Sequence, residues 1–181
     1  MHKNSSQNVI ESSGFKLWIE RFEKFTFHFT KILSSVSSVL IFLLMILTAA
    51  DVFSRSVFNS PITGTYELSG LMLAVIIFFS LGSVQMENAH LEIDVLTNKM
   101  SKVVRKWISL ITSTILFILL ILTTWQLYEY GARSLTGNQT TGDLGLKMYI
   151  FIFMATLGSF AFTLTYFFEI LKFFIKGREK Y

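Results

Sequence analysis

Four apolar stretches, at residues 32–50, 68–86, 107–128 and 148–168, contain no Asp, Glu, Lys, Arg or His. A bilayer's hydrocarbon core is crossed by about 20 apolar residues in a helix. Backbone groups in lipid have no water to bond, so such a segment must satisfy them internally, as a helix does. Of the 181 residues, 52% are hydrophobic and 15% charged. A soluble domain of this size could not cover that much apolar surface. The expected fold class is all-α: an integral membrane protein with four transmembrane helices.

The first apolar stretch follows a polar leader, residues 1–31, and exceeds the h-region of a signal peptide, about 7–15 residues. It therefore reads as an uncleaved anchor, although Thr48, Ala49 and Ala50 look faintly like a cleavage site. Cysteine is absent, so disulfides and thiolate metal sites are excluded. The net charge of +4 is scattered and forms no single patch, which argues against nucleic acid. Thirteen of the sixteen basic residues lie before the first stretch, between the second and third, or after the fourth. By the positive-inside rule those segments are cytoplasmic, and the segment 51–67 faces outward. The expected organisation is a leader (1–31), one membrane domain (32–172) and a basic tail (173–181).

Within the leader, Phe15, Trp18, Ile19, Phe22, Phe25 and Phe29 recur at three- and four-residue steps, with Lys16, Glu20, Arg21, Glu23 and Lys24 between them. This predicts an amphipathic helix over about 15–29, too charged to span and suited to lie in the membrane plane on its aromatic face. A helix packed on a protein partner has the same pattern. Small residues recur in the second and fourth stretches: Gly70 with Ala74, Ser80 near Gly82, and Ala155, Ser159 and Thr163. They allow close helix approach in lipid. The first and third stretches, the third being the richest of the four in Ile, Leu and Phe, offer surface to lipid or to a larger partner.

The chemistry available is narrow. Haem needs axial ligands within the helices, whereas His2, His28 and His90 lie outside the apolar stretches. His90, Glu92 and Asp94 suggest a metal set, but only His90 and Asp94 share a helical face, and such a pair is more often a surface hydrogen bond. No acid–base pair, nucleophile or phosphate loop supports an enzyme. Uncharged, uninterrupted crossings are unlike those of an autonomous transporter or channel. No cofactor is expected.

The informative polar residues stand at the edges of the crossings. Asp51 and Arg55 are one helical turn apart and can pair. Asn59, Ser60 and Pro61 make a turn, and Glu67 opens the second helix, where the helix dipole favours a carboxylate. These groups either cap helices and mark the interface, or Arg55 and Glu67 clamp two helix ends together or reach a partner.

The segment "DVFSRSVFNSPITGTYELSG", followed after one crossing by "HLEIDVL", resembles the small permease (Q) subunit of tripartite ATP-independent periplasmic (TRAP) transporters. The matching positions are Asp51, Arg55, Asn59, Pro61, Glu67, His90 and Asp94. The resemblance covers roughly residues 30 to 170, and it rests on motif order, spacing and the four-helix frame together.

The resemblance implies a bacterial or archaeal inner-membrane complex. In it, a periplasmic binding protein delivers an organic acid, such as a C4-dicarboxylate or sialic acid, to a large M subunit that works on the sodium gradient. This chain would brace the scaffold of M and help seat the binding protein. The cytoplasmic loop, with Ile93, Val95 and Leu96, would lie along lipid or M. The alternative class is a stand-alone tetraspan channel, or an assembly factor for another membrane complex.

Overall fold

From Phe15 to Phe58 the chain has neither glycine nor proline, so nothing in that stretch interrupts a helix once it has started. The structure of the protein, a computed structural model, describes residues 3–88 and 102–178, and the side chains of 21–87, 104 and 107–172. Helix α1 runs unbroken over Lys3–Phe58. It is followed by α2 (Thr65–Asn88), α3 (Lys102–Thr136) and α4 (Met148–Arg178). All four are long and apolar enough to cross a membrane, and the expected all-helical, four-crossing fold holds.

The separate in-plane helix expected over 15–29 is corrected: that segment is the direct continuation of the first crossing. The physical reason is the missing breaker, since Thr30 and Lys31 offer no means of turning the chain. With 56 residues at about 1.5 Å each, α1 follows some ~84 Å of chain, against a hydrocarbon core of about 30 Å.

The helices adjoin in the order α1, α2, α4, α3. Helix α2 packs between α1 and α4, while α3 packs mainly on α4. Consequently α4 is the most enclosed, with 44% of its apolar window buried against 6% for α3 and 11% for α1. This agrees with the small residues of the second and fourth stretches. The core joins Leu33 of α1, Val75 and Phe79 of α2, and Ala161 of α4, with Phe29, Leu40, Phe151 and Met154 packed around it.

Close approach of α2 and α4 depends on Gly158, where an added Cβ would lie 2.7 Å from the Phe78 carbonyl. Gly70 and Ala74 take no part, because both are exposed. Hydroxyls stitch neighbouring helices together: Ser80 Oγ donates to Ser37 Oγ at 3.0 Å between α2 and α1, and Thr124 meets Ser159 at 2.8 Å between α3 and α4.

Candidate functional site

Two turns stand at one end of the helix row, and they build a corner around Asp51 and Glu67. Helix α1 stops at Asn59, whose φ of 54° is the left-handed conformation that ends helices and that asparagine tolerates. Pro61 follows, fixing its own φ and offering no N–H. The chain then doubles back so that the Ile62 N–H donates to Asp51 Oδ1 at 2.9 Å. The other oxygen, Oδ2, takes Arg55 Nη2 at 2.7 Å. Asp51 is therefore enclosed on both oxygens, its side chain 9% exposed, while that of Arg55 is 58% exposed. The Ser54 hydroxyl adds a bond to the Ser60 carbonyl at 2.8 Å.

Glu67 reaches the second turn. Its carboxylate accepts the backbone N–H of Asp143 at 3.0 Å and of Leu144 at 3.3 Å. Those amides belong to the connection between α3 and α4. This connection closes on itself through Thr141 N–H to the Leu146 carbonyl at 2.9 Å and Leu146 N–H to Thr141 Oγ1 at 3.0 Å. Leu144 sits directly over Gly64, where an added Cβ would come within 2.2 Å of its Cγ and where φ is +80°. Glycine at 64 thus serves both the turn and the contact.

Arg55 and Glu67 do not meet. Each oxygen of Asp51 and both oxygens of Glu67 have partners elsewhere, so the corner consists of two separate clasps: α1 to its own turn, and α2 to the α3–α4 connection. His90 and Asp94 lie outside the described residues, as do the side chains of Phe15, Trp18 and Ile19. Phe22 turns into the helix row, with its ring centroid 6.4 Å from Phe167 and 6.5 Å from Phe168. Phe29 joins the core, whereas Phe25, stacked on it at 6.0 Å, is 60% exposed.

A second polar cluster, at the opposite end of the row, was not foreseen from the sequence. Tyr166 OH donates to Gln85 Oε1 at 3.2 Å, and Gln85 Nε2 makes a long 3.4 Å bond to Glu169 Oε2. Lys172 binds Glu23 and lies 4.7 Å over the Phe168 ring, linking α4 to α1. The available signals were Gln85, a strongly polar residue inside an apolar stretch, and Glu169, directly after another.

Nothing in this geometry assembles reaction chemistry. Among the described residues, no three His, Cys, Asp or Glu gather as metal ligands. A groove of about 530 Å³ between α3 and α4 is lined by Thr124, Trp125, Tyr128, Phe153 and Phe160, with no acid or base on its walls. Both polar clusters instead hold helix ends in place.

The family model described as "Tripartite ATP-independent periplasmic transporters, DctQ component" matches residues 44–175. No curated protein and no solved structure matches the chain. The matched stretch covers well over half of the chain and contains the whole Asp51–Glu67 corner. This multi-pass membrane protein belongs to the DctQ family, the small membrane subunits of TRAP transporters, which are not enzymes and work with a large M subunit and a periplasmic binding protein.

Proposed function

We propose that the chain is the fixed brace of a sodium-driven symporter for organic acids such as C4-dicarboxylates or sialic acid. It sits in the bacterial inner membrane with both termini cytoplasmic. The exposed apolar face of α3 supplies the surface that rests on the scaffold of M, that of α1 stays with lipid, and the Asp51–Glu67 corner lies on the outer side, where it helps seat the binding protein. Substrate and sodium are handled by M.

The observation that carries this reading is the open row of uncharged crossings. Ion and proton pathways need ionisable or strongly polar groups at mid-membrane, and the apolar stretches hold no such charge. With α3 resting mainly on α4, the row does not close into a ring. The exposed large apolar residues of α3 include Ile111, Ile118 and Leu122. Such a layer suits a support for a larger neighbour.

Reconstitution tests the assignment. Vesicles holding this chain with M and the binding protein take up an organic acid only with an inward sodium gradient, and vesicles with this chain alone take up none. Solute-specific uptake by the chain alone would overturn it.

A further inference from the structure

Burial on α1 is one-sided from Phe22 to Ser37. Thr26, Thr30, Leu33 and Ser37 are at most 4% exposed, and with Phe22 against Phe167 and Phe168 they define the face turned to α2 and α4. On the opposite face stand Arg21, Lys24, His28 and Lys31, at steps of three, four and three residues. This spacing aligns them in one stripe, and all four are exposed.

No carboxylate partner is found for Arg21, Lys24 or Lys31 among the described residues. The carboxylate nearest in sequence to Arg21 and Lys24 with a described side chain, Glu23, is taken by Lys172. The cationic field of the stripe is therefore not neutralised by Glu23.

The surface that adjoins the stripe identifies its occupant. Beyond Lys31 the same side of α1 becomes predominantly apolar and stays exposed, through Ile32, Val39, Phe42 and Ile46, with the exposed Ser35 and Ser38 among them turning their hydroxyls back onto the Lys31 and Ser34 carbonyls. Flanking the basic residues are exposed aromatics, Phe25 at 60% and Phe27 at 42%, with Lys31 Nζ 5.7 Å from the Phe27 ring centroid. Cations next to aromatic rings, stacked directly under a lipid-facing apolar surface, match the order of a leaflet: acyl chains, then carbonyls, then phosphates. Long basic side chains there lay their stems on apolar surface and place their charges among the headgroups.

We propose that Arg21, Lys24, His28 and Lys31 form a docking surface for the phosphodiester headgroups of anionic phospholipids, in the leaflet at the end of the helix row that carries the Gln85–Tyr166–Glu169 cluster. The stripe precedes the family-matched residues 44–175. It sets the depth of α1 and resists sliding of the first crossing along the membrane normal.

The experiment reconstitutes the full chain in phosphatidylcholine vesicles and compares spin-labelled phosphatidylglycerol with spin-labelled phosphatidylcholine by the fraction of each that is motionally restricted. Phosphatidylglycerol is expected to be preferred, and R21Q/K24Q/K31Q to weaken that preference by up to about fivefold per charge removed. High salt weakens it as well, through screening. The charge-conserving R21K/K24R/K31R keeps the preference, and the single Lys31→Gln shows a partial loss should the triple variant fail to fold. An unchanged preference in both Gln variants overturns the proposal. So does loss of restricted phosphatidylglycerol when M is co-reconstituted, which would assign the stripe to the protein partner.

Discussion

Glu67, in the first turn of α2, accepts the backbone N–H of Asp143 at 3.0 Å, across 76 residues of sequence. Through this bond and its companion to Leu144, the α3–α4 connection is fastened to a helix that α3 does not substantially pack against. Backbone amides bonded to a carboxylate give charge-assisted bonds of fixed direction, so the connection is positioned and not merely neighbouring.

Removing that carboxylate should loosen the connection and leave the helices intact. Glu67→Ala is expected to speed amide hydrogen exchange several-fold at Asp143 and Leu144, with α2 itself unchanged. Glu67→Gln, which keeps a carbonyl acceptor, should show a smaller effect. Equal protection in wild type and Glu67→Ala would contradict the tether.

Asp51 and Arg55 should differ in consequence although they form one ion pair. Asp51 is enclosed and also holds the Ile62 N–H, so Asp51→Ala strands a backbone donor and a guanidinium together. Arg55→Ala removes only a mostly exposed partner, a kind of pair that contributes little. The expected order of thermal stability in detergent is wild type, then Arg55→Ala, then Asp51→Ala. Charge reversal at Arg55 is expected to reduce co-purification with M and uptake, by setting two carboxylates against each other.

The α2–α4 seam can be probed with two glycines. At Gly158 an added methyl meets the Phe78 backbone, which cannot swing aside, so Gly158→Ala should destabilise by about 1–3 kcal/mol, the usual cost of overpacking. At Gly70 nothing lies within 4 Å, and Gly70→Ala should be neutral or slightly stabilising. Thermal unfolding of the two variants checks the contrast, and equal losses would remove the seam.

The hydroxyl pair between α1 and α2 should couple weakly. Ser80 Oγ also bonds the Ile76 carbonyl at 2.6 Å and Ser37 Oγ the Ser34 carbonyl at 2.8 Å, so each retains a partner in its own helix. A double-mutant cycle of Ser37→Ala and Ser80→Ala should give a coupling near ~0.6 kcal/mol, the average for such bonds in membranes.

The number of crossings, the polar leader and the corner residues follow from local sequence, because hydropathy over about 20 residues, proline, asparagine and the spacing of Asp51 and Arg55 act within a turn or two of chain. Helix partnership does not. Which glycine meets a backbone, that Glu67 binds Asp143 and not Arg55, and that Gln85, Tyr166 and Glu169 converge all depend on α2 lying against α4, which involves residues some 80 positions apart. The leader shows the same division. Its periodic aromatics marked an amphipathic helix, but Phe22 and Phe29 turn to the other helices, and the basic stripe is left outside. A periodic pattern identifies two faces of a helix, and only the neighbours in three dimensions decide which of them is covered.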